Sequence, residues 1–137
     1  MNVAVIFFSL TGNTKKIAKI LEREGAHLIR IKKRTGLLSY LGLHRSPRFN
    51  ATDYDLIILG GPVWNRGPAR PLSKALKKYD FREKQVNLFV TYALNKGHGL
   101  DKLRNEVERH HGSFGREMAF DMSEDLREED VRKLLSF

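Results

Sequence analysis

The sequence predicts an α/β fold, a doubly wound five-stranded parallel sheet in three α/β/α layers. Continuous apolar runs alternate with stretches of helical spacing along the whole chain. The runs are apolar at successive positions, as in strands of a parallel sheet covered on both faces. Turn signals stand where strands end, most clearly at Ser9-Leu10-Thr11-Gly12-Asn13-Thr14 and at Gly60-Gly61-Pro62. The length, 137 residues, suits one domain over 1–137, with no repeat or interdomain linker.

The elements follow in order. Residues 2–8 read as a buried strand, and Asn13 to Glu24 as a helix with Ile17, Ala18, Ile20 and Leu21 on one stripe. His27 to Ile31 alternates like an edge strand. Gly36 to Leu43 fits one or two helical turns, with Tyr40 and Leu41 packed on the sheet. Asp55 to Leu59 is a buried strand expected to stop sharply at Gly60-Gly61-Pro62. Pro68 to Lys78 is helical, with Leu72, Ala75 and Leu76 inward. Val86 to Val90 is the fourth strand, ended by Thr91. Leu100 to His111 is helical, with Leu100, Leu103 and Val107 on one face. Ser113 to Phe120 is a weaker strand. Asp125 to Leu135 is a closing helix, with Asp125 as N-cap and Glu128 three residues on.

Composition narrows the function classes. No apolar run is long enough to span a bilayer, and no basic segment precedes the first one, so neither a membrane span nor a signal peptide is expected. The chain has no cysteine, which excludes disulfides, thiolate chemistry, iron–sulfur clusters and cysteine-based zinc sites, and suits the cytoplasm. His98, His110 and His111 have no companions at ligand spacing, so no metal is expected. The net charge is +9 and uneven. Residues 25–52 hold Arg30, Lys32, Lys33, Arg34, Arg45 and Arg48 without an acid; residues 56–79 hold Arg66, Arg70, Lys74, Lys77 and Lys78, again without one. The balance reverses after Glu117. Such asymmetry points to an acidic partner or ligand at one face.

Ser9 to Thr14 stands between a strand and a helix. Helix N-termini present unpaired N–H groups to anions, hydroxyls add donors, and Gly12 lets the backbone come close. Without a lysine, the turn is not a nucleoside-triphosphate loop. In a doubly wound sheet, the loops after strands one, three and four share one edge. The second holds Trp64, the third Tyr92, so a flat ring between loops with its phosphate in the first is the expected ligand.

On these residues the chain resembles the flavodoxin-like FMN-binding proteins. Ser9-Leu10-Thr11-Gly12-Asn13-Thr14 is similar to the family's phosphate loop, T/S-x-T-G-x-T. Tyr54 to Trp64 is similar to its third strand and first flavin loop, and Val86 to Tyr92 to its fourth strand and second flavin loop. The resemblance implies strand order 2-1-3-4-5 and FMN as cofactor. It implies a phosphate site at Ser9, Leu10, Thr11, Gly12, Asn13 and Thr14. It also implies ring contacts from Pro62, Val63, Trp64, Asn65, Arg66 and Gly67, and from Thr91, Tyr92, Ala93, Asn95, Lys96 and Gly97. No catalytic acid or base is expected, because flavin carries the redox chemistry.

The basic charge departs from the acidic electron-carrying flavodoxins. A cation ~6 Å from the ring at an effective dielectric of ~20 would stabilise an anionic flavin by roughly 3 kcal/mol before screening. Arg66 and Lys96 are the candidates, and they predict a less negative potential than in acidic flavodoxins. The expected function is electron transfer with an acidic redox partner protein or NAD(P)H, the alternative an FMN-dependent NAD(P)H oxidoreductase of quinone-reductase type. A cofactor-free domain binding nucleic acid or a protein competes on charge alone, without a recognised nucleic-acid motif. A phospho-accepting receiver domain is excluded by Phe8-Ser9 and Gly60-Gly61, where it needs acids.

Overall fold

The fold was obtained as a computed structural model, which describes residues 1–33, 44–45, 47–64, 67–93 and 97–137. The short helix expected at Gly36 to Leu43, with Tyr40 and Leu41, lies outside the described residues. In chain order the elements are β1 (Val3–Phe8), α1 (Asn13–Arg23), β2 (His27–Lys33), β3 (His44–Arg45), β4 (Leu56–Trp64), β5 (Gly67–Pro68), α2 (Arg70–Leu76), β6 (Gln85–Tyr92), α3 (Gly99–Arg109), β7 (Ser113–Asp121) and α4 (Glu128–Arg132). The sheet order is β3-β2-β1-β4-β6-β7. Its five long strands are mutually parallel, so the expected 2-1-3-4-5 order is present. Two short strands are additional, both antiparallel: β3 along the end of β2, and β5 folding back on β4.

Both faces of the sheet carry an apolar cluster, and the strand alternation assigns side chains to each. Ala4, Ile6 and Phe8 join Ile57, Leu59, Val86, Leu88 and Val90 under Leu72, Ala75 and Leu76 of α2 and Leu103 and Val107 of α3. Val3, Val5 and Phe7 join Leu56, Ile58 and Phe89 under Ile17, Ala18 and Leu21 of α1 and Val131 and Leu134 of the C-terminal segment. Each fully buried Ile, Leu or Phe contributes about 1.5–3 kcal/mol, which explains why unbroken apolar runs became strands. Among the described residues no helix is long and apolar enough to cross a membrane.

Two expectations are corrected. The third strand does not stop at Gly60-Gly61-Pro62; it runs on to Trp64, with Gly60, Gly61 and Pro62 in register with Phe89, Val90 and Thr91. The glycines serve packing. A Cβ on Gly60 would lie 2.1 Å from the Phe89 ring, and one on Gly61 2.8 Å from Leu72. Pro62 stands beyond the last β1 pairing, Phe7 with Gly60, and its carbonyl accepts the Ala69 amide at 3.0 Å where the chain folds back along β4. The closing helix begins at Glu128, after Arg127 rather than Asp125, and ends in a 3₁₀ turn over Lys133–Leu135. Its Glu128 is bound by Arg23 (2.7 Å) and Arg132 (3.1 Å), so cross-helix pairing replaces the expected capping box.

One buried polar residue ties down the C-terminus. Asn87, fully buried, donates its amide to the carbonyls of Leu134 (2.8 Å) and Ser136 (2.9 Å) and accepts from the Arg116 amide (2.8 Å) and Gln85 Nε2 (3.0 Å). It sits where the β6–β7 register shifts, between Val86 and Leu88. Asn87→Leu keeps the branched heavy-atom shape but orphans these groups, and each unsatisfied buried polar group costs about 1–3 kcal/mol. The expected outcome in urea unfolding is a loss of about 2–4 kcal/mol. A loss under about 1 kcal/mol would show that the bonds are not made in solution.

Candidate functional site

Because β1, β4 and β6 are parallel neighbours, their carboxyl ends lie on one edge, and the three loops expected to converge do start there. Two contacts join them. Thr14 Oγ1 and Thr91 Oγ1 lie 2.9 Å apart, both side chains buried, linking the first turn to the end of β6. Phe8 meets Trp64 edge-on at 5.6 Å between ring centroids, linking β1 to the end of β4.

The first turn is organised around Ser9. Its buried hydroxyl accepts the amides of Gly12 and Lys15, each at 3.2 Å, and keeps its own hydrogen to donate. Gly12 stands at φ +97 as the N-cap of α1, a left-handed conformation in which a side chain would be strained. The first helical bond runs from the Lys16 amide to the Gly12 carbonyl. Among the described residues the amides of Thr11, Asn13 and Thr14 have no acceptor, as expected of a helix start. Of the two hydrogens in the Thr14–Thr91 pair, one is used between the hydroxyls and the other is left over. Thr11 is exposed, Asn13 half-buried, and Leu10 projects at the tip with 59% of its surface exposed. The turn is therefore a concentration of donors with one glycine hinge, matched to an anion.

Arg30 was missed as a site residue, being counted only among the basic residues. It pairs with Phe7 in the sheet register and donates from Nη2 to the Ser9 carbonyl at 3.1 Å. The signal was partly available: on a strand beside β1, the residue level with Phe7 stands two residues short of Ser9 and within reach of the turn.

The second loop is only partly as expected. Pro62, Val63 and Trp64 are half-buried strand residues, and Gly67 pairs back with Trp64. Val63 packs on the start of α3, where a Cβ on Gly99 would come within 2.9 Å of it. Trp64 and Gly67 line a cavity of about 380 Å³ with Arg70 and Lys102, on the α2–α3 side. In the third loop Thr91 is buried, Tyr92 half-buried and Ala93 exposed; the Tyr92 carbonyl accepts the Met122 amide at 2.8 Å. Gly97, at φ +52, lies beside Arg104 and Glu117. Arg104 grips Glu117 through both oxygens and stands 4.8 Å over the Phe114 ring; the Glu117 carboxylate raises its pKa further. Asn65, Arg66, Asn95 and Lys96 lie outside the described residues. Among the described residues no three His, Asp or Glu side chains gather as metal ligands.

No protein-family profile matches the chain, and neither does any curated protein. Solved structures do. A flavoprotein in complex with FMN from Lactobacillus acidophilus NCFM is 22% identical, with a TM-score of 0.74 over 98% of this chain and 99% of its own. A WrbA-like flavodoxin from Agrobacterium tumefaciens is 20% identical, with a TM-score of 0.68 over 98% of this chain and 91% of its own. The flavodoxin of Streptococcus pneumoniae TIGR4 is 17% identical, with a TM-score of 0.64 over 98% and 92%. Strand order, helices on both faces and similarity along nearly the full length make this a flavodoxin-like fold.

Proposed function

We propose that the protein binds FMN and acts as a small electron-transfer flavoprotein. The observation that carries this is the Ser9–Lys15 turn, a set of donors held to Thr91 on the edge where such sheets take their ligands. Those donors suit a phosphate monoester. The Ser9 hydroxyl, the amides near Gly12 and the spare Thr hydrogen would hold its oxygens. Arg30 adds positive charge beside the turn. The FMN partner of the Lactobacillus structure is in keeping with this reading. Bound FMN would supply the redox chemistry through its ring. The chain's own part is to fix the phosphate, with Trp64 and Tyr92 as candidate walls for the ring and residues 65, 66, 95 and 96 as further candidates.

The natural partner on charge is an acidic redox protein, which the unbalanced cations of α2 and its continuation, Arg70, Lys77 and Lys78, would attract. A phosphorylated nicotinamide suits the same charge, so FMN-dependent NAD(P)H oxidoreductase is the second reading. Purified protein titrated with FMN is expected to take up one equivalent and show flavin absorption. NADH and NADPH oxidation then separates carrier from reductase, and a redox titration is expected to give a less negative potential than in acidic flavodoxins. A colourless protein that takes up no FMN but binds DNA with steep salt dependence would replace this reading with the nucleic-acid one.

A further inference from the structure

We propose that the cavity between α2 and α3 binds a small dianion carrying an aromatic ring, an aryl phosphate monoester in chemical class. Arg70 and Lys102 would receive the charge, and Trp64 would form the wall for the ring. This site leaves out the Ser9–Thr14 turn and does not rest on the FMN reading, and it shares with that reading only Trp64 as a wall.

The volume, about 380 Å³, falls within the range of small-molecule sites. Its charged lining is Arg70, Lys102, Arg109 and Glu106. Glu106 is already engaged: one oxygen accepts from Arg109 Nη1 at 3.0 Å, and the other lies 3.6 Å from His110 Nε2. Three cations against one carboxylate leave two positive charges, those of Arg70 and Lys102. Among the described residues neither side chain has an ion pair or hydrogen bond.

Both cations are exposed, and each is fixed in place by its local structure. Arg70 is the first residue of α2, the end of a helix where a cation is disfavoured. Lys102 lies along Gly67, where a Cβ would stand 3.1 Å from its Nζ and 3.3 Å from its Cδ. Glycine at 67 thus leaves the lysine stem room against the β4–β5 hairpin, its ammonium at the wall. Ser73 and Asn105 add neutral hydrogen-bonding groups. The half-buried Trp64 and Pro68 supply the apolar part. A charged group alone would leave that part unused, and a neutral ring would leave the cations unused; a ring-bearing dianion uses both.

Trp64 is the only tryptophan in the chain, so intrinsic fluorescence reports on this cavity. The probe is phenyl phosphate, added to FMN-free protein, with inorganic phosphate and phenol as separate controls. Phenyl phosphate is expected to change the emission saturably, and the two controls to bind about tenfold more weakly or less. Arg70→Gln/Lys102→Gln is expected to weaken the probe by roughly tenfold or more. Lys77→Gln/Lys78→Gln, removing two exposed charges outside the cavity, is expected to leave it within about twofold. Thr11→Val is expected to leave it unchanged. No saturable change, or equal loss in the two charge variants, overturns the proposal. Loss in Thr11→Val instead places the probe in the first turn, which also overturns it while leaving the FMN reading intact.

Discussion

Replacing Thr11 and Thr14 together by valine is expected to weaken FMN binding by roughly 10²–10⁴-fold. Each hydrogen bond to a charged group is worth about 1.5–3 kcal/mol, and two donors to a phosphate would be lost. The two positions should differ in a second measurement. Thr11 is exposed, so Thr11→Val should leave the melting temperature of the FMN-free protein unchanged. Thr14 is buried against Thr91, and valine keeps its shape while orphaning the Thr91 hydroxyl. That costs about 1–3 kcal/mol, read as a lower melting temperature even without FMN. Thr91→Val should show the same loss, since it breaks the same bond from the other side. Titration by flavin fluorescence gives the affinities. A double variant that binds FMN as the parent does would place the phosphate elsewhere.

The architecture was legible in the sequence because burial on both faces of a sheet leaves a local record. Val3 to Phe8 and Leu56 to Leu59 are apolar at every position, and both are interior strands. The Ser9–Thr14 turn was legible as a strand-to-helix turn for a related reason, since such turns are short and their residues are contiguous. What could not be read depends on pairs far apart in the chain. The Thr14–Thr91 bond spans 77 residues, and Arg30 reaches Ser9 only through the sheet register. Trp64 was identified as a loop aromatic because Gly60-Gly61-Pro62 resembles a turn; only the Phe89 and Leu72 side chains, invisible locally, explain the glycines. Asn87 gave no signal at all, because its four partners come from the C-terminal segment, from β7 and from its own strand.

That account makes Gly60→Ala the most damaging of the alanine substitutions expected at the described glycines. Gly60 is paired with Phe7 on one side and Phe89 on the other, so its backbone is held in the middle of the sheet. The added carbon would fall 2.1 Å from two Phe89 ring atoms, and that ring is itself fully buried, edge-on to Phe120 at 6.2 Å. Overpacking of this kind costs about 3 kcal/mol or more, a fall in melting temperature of roughly 10 °C for a domain of this size. Gly12→Ala is the control. There a Cβ meets nothing within 4 Å, and only the left-handed backbone opposes it, about 1–2 kcal/mol. A turn-forming role for Gly60 would reverse this ranking. The Phe89→Leu background separates the two causes: with the ring gone, Gly60→Ala should cost about 1–3 kcal/mol less than in the parent. The strand extension that carries Trp64 depends on this packing, since Gly60 and Gly61 are the only residues between the apolar run and Pro62. If Gly60→Ala melts with the parent, the glycines are not packing residues, and the straight path of β4 to Trp64 needs another cause.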